Sequence, residues 1–311
     1  MYKYILKRLI LLIPIILGVT FIVFSIMALT PGDPGRLILG TSAPQEAIDQ
    51  LNHELGFDEP FLVRYVDYIK DAVQGDFGNS YRTNKPVFDE IFSRFPTTLI
   101  LAILGVLTSI IIGIPLGILS AVKQYSKLDI ISTTAAMLMA SVPGFWLGLM
   151  LIILFSLKLG WLPSNGIGSI ANYILPTITL ALPSAANIIR LTRSTMLETI
   201  RQDYIRTARS KGATEKIIIW KHALRNALLP VITVIGMDFG ALLGGTILIE
   251  SIFSIPGLGM LMLTAIRMKD IPQVMAAVLF LASLFCIIML LVDLIYAYID
   301  PRLRSQYAKG M

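Results

Sequence analysis

The stretch YIRTARSKGATEKIIIWKHALRNALLP (Tyr204–Pro230) is a basic insert between two long apolar stretches, with six lysines and arginines against a single acid. Long positive segments between membrane spans stay on the cytoplasmic side. Gly212 separates two possible helices, Asp203–Lys211 and one that runs from Thr214 as its N-cap to about Asn226. We therefore expect a helix–Gly–helix elbow in the cytoplasm. From these residues alone, the elbow is either a contact for a soluble partner or a solvated loop that touches anionic lipid.

The whole chain is more apolar than a soluble protein. Its 311 residues are 55% hydrophobic and 15% charged, whereas soluble domains are about 25% charged. The net charge of +6 would suit nucleic acid, but the basic residues cluster at the ends of apolar runs, where they set membrane topology. We therefore predict a multi-pass membrane protein that does not bind nucleic acid. The single cysteine, Cys286, excludes an internal disulfide framework.

Six apolar stretches are long enough to cross a bilayer, at about 20 residues each. The predicted spans are Leu9–Leu29, Thr97–Val122, Ile130–Leu157, Tyr173–Arg193, Leu229–Ser251 and Val274–Tyr298. The first span follows basic residues, as a signal peptide does, but its length favours a retained anchor. The fold class expected is all-α, with six transmembrane helices.

Lysine and arginine in the short loops predict the orientation. With six spans, one side receives the basic insert together with Lys3, Lys7, Arg8, Lys123, Lys127, Arg302, Arg304 and Lys309. The opposite short loops hold only Lys158, Arg267 and Lys269. We therefore expect both termini in the cytoplasm.

The segment 31–96 then lies outside the membrane, and it is acidic and too long for a hairpin. Two amphipathic helices are predicted, one from near Pro44 to Gly56 and one from Pro60 to Gly75. Their apolar stripes are Ile48, Leu51 and Leu55, and then Leu62, Tyr65, Ile69 and Val73. The segment is either a small helical cap or a docking surface for an external substrate carrier.

These observations divide the chain into four parts. An N-terminal tail and first span (1–30) precede the external segment (31–96). The main membrane domain (97–300) contains the basic insert at about 203–228, and a cytoplasmic tail (301–311) follows.

Small residues recur at four-residue spacing inside the predicted spans, which allows close helix packing in lipid. They are Gly113 and Gly117, Gly144 and Gly148, and the series Gly236, Gly240 and Gly244. Most serve packing within the chain, although the last series is also suited to an interface with a second subunit.

Charged residues within spans are functional candidates. Asp238 lies beside the last glycine series, and we take Asp238, Gly240 and Gly244 as candidates for a translocation pathway. Asp293 and Asp300 are expected to pair with basic residues, and Glu250 lies near the outer end of the fifth span.

Catalytic patterns are absent from the sequence. No GxxxxGK[ST] phosphate loop, GxGxxG, HExxH or GxSxG occurs. His53 and His222 fall on opposite sides of the membrane in the predicted topology, so they do not share a metal ion. We expect no catalytic residue, no cofactor and no metal site, and any ATP hydrolysis must come from separate subunits.

The basic insert resembles the EAA loop of the inner-membrane permeases of binding-protein-dependent ABC importers. Ala208, Gly212 and the closing Leu229–Pro230 match that pattern. Arg206 and Thr207 replace its first Glu and Ala, and the Leu-Pro comes late. Both departures match the dipeptide/oligopeptide/nickel branch of the family.

The resemblance covers essentially the full length of the chain. Segments similar to that branch are TPGDP (Thr30–Pro34), SVPGFW (Ser141–Trp146), LGWLP (Leu159–Pro163), ESIFSIPGLG (Glu250–Gly259) and VDLIYAYIDPRLR (Val292–Arg304). Their order and spacing together are a strong signal.

The resemblance implies a type I ABC importer permease fold in a bacterial or archaeal cytoplasmic membrane. It implies a second, homologous permease subunit, two ABC ATPase subunits and an extracytoplasmic substrate-binding protein, with short peptides as substrate. The residues implied in ATPase coupling are Tyr204, Ile205, Arg206, Thr207, Ala208, Arg209, Lys211, Gly212 and Ala213.

Alternatives remain open for substrate and class. Nickel or other metal chelates, glutathione and some oligosaccharides are handled by related importers. A stand-alone channel, a secondary carrier and a membrane-embedded enzyme are the other classes, but no internal repeat and no catalytic constellation favours them.

Overall fold

The computed structural model describes residues 2–29, 33–40 and 42–299, so Asp300 and the tail 301–311 lie outside it. The described residues are helical apart from turns and one isolated β-bridge between Asn79 and Pro86. The α-helices are α1 (Tyr2–Leu29), α2 (Pro34–Leu39), α3 (Gln45–Glu54), α4 (Phe61–Val73), α5 (Val87–Val122), α6 (Lys127–Ser141), α7 (Gly144–Leu151), α8 (Ala171–Ile200), α9 (Asp203–Ser210), α10 (Glu215–Ile217), α11 (Leu224–Gly245), α12 (Ile247–Ile252), α13 (Leu258–Arg267) and α14 (Ile271–Ile299).

Membrane-spanning helices dominate the fold. By length and hydropathy, five stretches qualify: Ile10–Leu29, Val87–Val122, Ala171–Ile200, Glu215–Gly244 and Ile271–Ile295. A sixth span results if Lys127–Ser141 and Gly144–Lys158 are counted together. The prediction of an all-α, multi-span protein is confirmed.

The third predicted span, Ile130–Leu157, is divided into two helices. Its two halves, α6 and α7, are bent by 100° relative to each other. The break falls at Val142, whose φ of −83° and ψ of 123° are extended. A proline disfavours the helical conformation of the residue before it, so Pro143 accounts for the bend. After α7 the chain continues as a π-helix to Lys158.

The elbow and the fifth span also differ from prediction. We expected a cytoplasmic helix that ends near Asn226 and a separate span Leu229–Ser251, but Glu215–Gly244 is one helix of 30 residues. Residues 218–223 within it are π-helical, and Pro230 does not interrupt it. Local adjustments in membrane helices accommodate the missing N–H of a proline.

Three other helix boundaries differ from the predicted ones. Helix α5 begins at Val87, ten residues before the predicted Thr97. Helix α8 continues to Ile200, beyond the predicted end at Arg193. The fifth span stops at the C-cap Thr246. Helices α5 and α8 thus extend beyond the stretches that hydropathy defines, whereas the fifth span ends five residues before the predicted Ser251.

The chain forms two compact units. Of the described residues, the larger unit contains 98–255 and 287–299, and the smaller unit contains 2–29, 33–40, 42–97 and 256–286. The divisions fall within the long helices α5 and α14.

Glycines bring α5 and α8 together in the larger unit. A Cβ added at Gly113 would lie 2.6 Å from Cγ2 of Ile188. One added at Gly117 would lie 2.6 Å from Cβ of Thr192 and 2.9 Å from the carbonyl oxygen of Ile189. These two glycines thus serve the close intrachain packing that their spacing predicted.

A partly buried ion pair joins the start of α6 to α8. Nε and Nη2 of Arg193 donate to Oδ1 and Oδ2 of Asp129 at 2.7 and 2.9 Å. The hydroxyl of Ser120 and the backbone N–H of Tyr125 also donate to this carboxylate. Because the Asp129 side chain is only 4% exposed, these donors compensate its loss of hydration.

The smaller unit contains both helices predicted in the segment 31–96. Helices α3 and α4 follow Pro44 and Pro60, and Gly56 and Gly75 after them have φ of +71° and +86°. Such left-handed positions favour glycine. The short helix α2 was not predicted.

The apolar stripe predicted for α4 is only partly buried. Tyr65 packs on α1 with ring contacts to Phe21 and Phe24, whereas Leu62 and Val73 are 62% and 82% exposed. The four predicted stripe residues therefore differ in burial, since Tyr65 contacts α1 whereas Leu62 and Val73 remain exposed.

A carboxylate orders the loop before α5. The hydroxyl of Ser80 and the backbone N–H of Tyr81 both donate to Asp270, which is 2% exposed. This contact joins the loop to the residue that precedes α14.

We predict opposite outcomes for two glycine-to-alanine substitutions. Gly117→Ala should destabilise the protein by about 1–2 kcal/mol, because overpacking at a backbone contact exceeds the gain in helix propensity. At Gly144 no atom lies within 4 Å of an added Cβ, so Gly144→Ala should leave stability unchanged or slightly higher. Thermal unfolding of the purified protein in detergent measures both, and an unchanged midpoint for Gly117→Ala contradicts the close packing.

We also predict that Arg193→Ala destabilises the protein by about 3 kcal/mol, because it leaves the buried Asp129 carboxylate without its cation. The double variant with Asp129→Asn removes that charge and should regain part of the loss. Arg190, which contacts Asn187 on an exposed surface, provides the control, since Arg190→Ala should change stability by less than about 0.5 kcal/mol. Equal midpoints for Arg193→Ala and Arg190→Ala would refute a structural role for the pair.

Candidate coupling segment

The first helix of the basic insert is α9, and its start and end follow from local chemistry. Gln202 is extended at the N-cap, and Asp203 places a negative charge in the first turn, where the helix dipole favours it. After Lys211, Gly212 has a φ of +81°. The N–H of Gly212 then bonds the Arg209 carbonyl at 2.9 Å, so a left-handed glycine ends the helix.

A single isoleucine anchors α9. Ile205 is fully buried, whereas most of its neighbours on α9 are exposed. It packs in a cluster whose buried members are Ile118, Ala121, Met196, Ile205, Ile218, Ala223 and Ala227. These residues come from α5, α8 and the long helix after the elbow, so α9 is held against three elements at once.

The nine predicted coupling residues divide into an anchoring set and an exposed set. Ile205 is buried, and Ala208 and Ala213 are half-buried. The exposed residues are Tyr204, Arg206, Thr207, Arg209, Lys211 and Gly212. The exposed face therefore carries one aromatic ring and three cations, and the anchoring face carries no charge.

An ion pair closes the elbow. Nε and Nη2 of Arg209 donate to Oε1 and Oε2 of Glu215 at 2.7 and 3.1 Å, and this contact raises the pKa of Arg209. Because the two side chains are 40% and 62% exposed, the pair contributes at most about 1 kcal/mol. Its bidentate geometry favours this direction of the turn at Gly212.

A second contact joins the two arms of the elbow. Nδ2 of Asn226 donates to the hydroxyl of Tyr204 at 2.7 Å. Sequence reasoning missed both this contact and the pairing partner of Arg209. The available signal for the latter was Glu215 itself, because it is the only acid of the insert.

Thr214 occupies the predicted N-cap position with extended backbone angles, but its side chain makes no capping hydrogen bond. The helix that begins at Glu215 is therefore stabilised by packing rather than by a side-chain cap. Ile218 and Ala223 of the π-helical turn are both fully buried against the cluster that contains Ile205. Widened turns of this kind occur frequently at functional sites.

An open cleft lies beside the start of α9. It has a volume of about 490 Å³. Its lining includes Arg193, Glu198, Arg201, Gln202 and Asp203, which makes the cleft polar. The end of α8 and the first residues of α9 thus share one surface.

The three candidate pathway residues do not share one environment. Ser184 is hydrogen-bonded to Asp238, and Oδ2 of Asp238 is buried with no hydrogen-bond partner among the described residues. Gly240 is buried, whereas Gly244 is exposed with no atom within 4 Å of an added Cβ. At Gly236, an added Cβ would overlap Val292 of α14, so this end of the series serves packing within the chain.

Family models match nearly the whole chain. The binding-protein-dependent transport system inner membrane component matches residues 113–305. The N-terminal model of such membrane components matches residues 1–102. Together they cover both compact units and the basic insert.

Curated relatives align from end to end. The dipeptide transport system permease protein DppB of Alkalihalophilus pseudofirmus is 43% identical over 332 residues, which cover 98% of this chain and 100% of the relative. The glutathione transport system permease protein GsiC of Escherichia coli is 43% identical over 304 residues, covering 98% and 99%.

Solved structures of two transporters share the fold. A chain of the inward-facing MetNI methionine ABC transporter has a TM-score of 0.58 at 22% identity, covering 69% of this chain and 98% of that one. An amino acid ABC transporter crystallised with histidines gives 0.55 at 15% identity, covering 68% and 94%. With family models and full-length relatives in agreement, this chain belongs to the binding-protein-dependent transport system inner membrane components, the permease subunits of ABC transporters.

Proposed function

We propose that this permease subunit imports short peptides, with dipeptides, oligopeptides and the tripeptide glutathione as the substrate class. The observation that carries the proposal is the 43% identity, over 98% of the chain, to permeases named for dipeptide and for glutathione transport. Both names describe short peptides, which is the chemistry they have in common.

The partners proposed are a second homologous permease, two ABC ATPase subunits and an extracytoplasmic substrate-binding protein. The family name itself refers to a binding protein. The exposed cations and the tyrosine of α9 suit a groove on an ATPase, because aromatic and arginine side chains are enriched at protein interfaces.

The proposed cycle is a coupling between two states. Closure of the ATPases on ATP turns α9 and opens the permease outward, the binding protein releases its peptide into the cavity, and hydrolysis resets the complex. Support comes from the anchoring of α9, because a helix whose Ile205 is buried among three other elements moves with them.

The proposed topology places the basic insert and both termini in the cytoplasm of a bacterium or archaeon, by the distribution of lysine and arginine. The domains follow: 1–30 as tail and first span, 31–96 as external segment, 97–300 as membrane domain with the coupling loop at about 203–228, and 301–311 as tail. Cysteine accessibility from each side of sealed vesicles tests this arrangement.

Uptake by the purified complex tests the substrate. The chain should copurify in mild detergent with a second permease and P-loop ATPases. After reconstitution with its binding protein, the complex should accumulate radiolabelled dipeptide or glutathione in an ATP-dependent manner. Accumulation of nickel alone would instead support the chelate alternative, and recovery of the chain without any ATPase would support a stand-alone carrier.

Proline substitutions in α9 test the coupling. Ala208→Pro should leave assembly intact but abolish most peptide uptake while ATP hydrolysis continues, because it removes a mid-helix N–H donor and bends α9. Uptake and hydrolysis are measured in the same proteoliposomes.

Asp203→Pro is the matched control. Position 203 is the first residue of α9, and Gln202 before it is already extended, so a proline is tolerated there. This variant should retain coupled transport. Normal uptake by Ala208→Pro, or equal loss in both variants, contradicts the assignment of α9 as the coupling helix.

A further inference from the structure

Helix α8 exposes a polar face although it is long and apolar enough to cross the membrane. Its stretch Ala171–Ile200 has the lowest mean hydropathy of the five that qualify as spans. The exposed side chains in its second half are Asn187, Arg190, Ser194 and Glu198. Their spacing of three and four residues places them on one side of the helix. The larger unit therefore leaves one polar stripe of α8 uncovered.

Contacts between α5 and α8 define the level of this stripe in the membrane. Gly113 of α5 meets Ile188 of α8. Gly117 meets Thr192, four residues further along both helices. The two helices therefore run side by side in the same direction, and the backbone of Arg190 is level with the middle of this interval of α5.

The uncharged run of α5 shows that this level is inside the hydrocarbon layer. Residues 97–122 carry no charged side chain. They measure about 39 Å at 1.5 Å per residue, against a hydrocarbon core of about 30 Å, so at most about 9 Å of the run lies beyond the core at the Val122 end. The backbones of Arg190 and Asn187 are level with residues about 10 Å and about 15 Å from that end.

The side chain of Arg190 points further into the membrane. Its Nη2 donates to Oδ1 of Asn187 at 2.9 Å, and Asn187 lies one turn deeper along α8. An arginine that snorkels extends its guanidinium towards the nearer interface, whereas this hydrogen bond directs the guanidinium away from it. The position of the charge is therefore set by Asn187.

The charge of Arg190 is not neutralised within the part of the chain that the structure describes. No carboxylate oxygen of those residues lies within 4 Å of its guanidinium. Arg193, one turn further along α8, differs because it pairs with Asp129. Asn187 is a neutral amide, so it orients the guanidinium and leaves the positive charge available to an anion.

The stripe is unsuited to lipid and suited to an aqueous path. Charges in hydrocarbon carry a high energetic cost, and ionisable residues within spans face a bundle interior or a water-filled cavity, where they mark substrate pathways. Ser194 and Glu198 continue the stripe and line the open cleft of about 490 Å³ beside α9. Polar groups thus lead from the level of Asn187 to this cleft.

The donors of Arg190 and Asn187 match a carboxylate. A guanidinium presents planar N–H groups that bind both oxygens of a carboxylate at once. Because Oδ1 of Asn187 already accepts from Arg190, the amide NH₂ of Asn187 remains as a second source of donors. Dipeptides, oligopeptides and glutathione all end in a carboxylate, so the proposed substrates share the group that this pair recognises.

We propose that Arg190 and Asn187 bind the C-terminal carboxylate of the peptide during translocation, and that the polar stripe of α8 lines the aqueous path to the cleft beside α9. The pair is then a substrate contact within the membrane, separate from the external binding protein. This inference rests on the proposed import of peptides.

Peptide uptake by the importer, reconstituted with its binding protein, tests the site. Arg190→Gln removes the charge, and Asn187→Asp supplies an internal carboxylate that neutralises Arg190 with almost no change of shape. Each variant should lower the rate of uptake of a radiolabelled dipeptide by about tenfold or more, because each loses a charge-assisted hydrogen bond to the substrate. ATP hydrolysis stimulated by the binding protein, and copurification with the second permease, should stay close to wild type.

Lys158→Gln is the control, since it removes an exposed cation at the end of the π-helix after α7 and should transport normally. Wild-type uptake rates in both α8 variants, or in Asn187→Asp alone, would overturn the site and leave peptide import in place. Loss of the second permease or of stimulated ATP hydrolysis would mean that the pair holds a subunit interface, which also overturns the site. Absence of peptide uptake by the wild-type importer would overturn the proposed function, and the site with it.

Discussion

The close approach of α5 and α8 at Gly113 and Gly117 is the contact on which the larger unit depends. Lipid tails provide no hydrophobic drive for helices to associate, so backbones must come near enough for dispersion and buried polar contacts to hold them. The approach places Thr192 against Gly117, and the next residue, Arg193, meets the Asp129 carboxylate. From there α8 runs to Ile200, and α9 returns Ile205 onto Ile118 of α5. The basic insert is therefore held against the same two helices that approach each other at Gly113 and Gly117.

Hydropathy and charge predicted the existence of the spans, because the bilayer requires long apolar helices whatever the rest of the protein does. The ends of α3, α4 and α9 were equally predictable from the sequence, since Gly56, Gly75 and Gly212 adopt left-handed angles that favour glycine. The effect of each proline on its helix could not be predicted from the sequence. Pro176, Pro183 and Pro230 lie within continuous helices, whereas the bend occurs at Pro143.

The position of the candidate site was predictable from the sequence, but which of its residues are buried and which are exposed was not. The family pattern located α9, and its cations were evident from the sequence. That Ile205 would be buried and Tyr204 exposed depends on which side of α9 meets α5 and α8. A lone aliphatic residue in a polar helix is a usable signal for such an anchor. The pairing of Arg209 with Glu215 required the direction of the elbow, which only the folded chain defines.

The uninterrupted helix from the elbow through the fifth span has a mechanical consequence. Its 30 residues, Glu215–Gly244, measure about 45 Å at 1.5 Å per residue. A stiff rod of that length acts as a lever, so a tilt of about 10° at one end displaces the other by about 8 Å. A separate cytoplasmic helix joined by a flexible loop would lose this motion at the joint. Under the proposed coupling, this helix would carry a movement of the elbow to the opposite end of the fifth span.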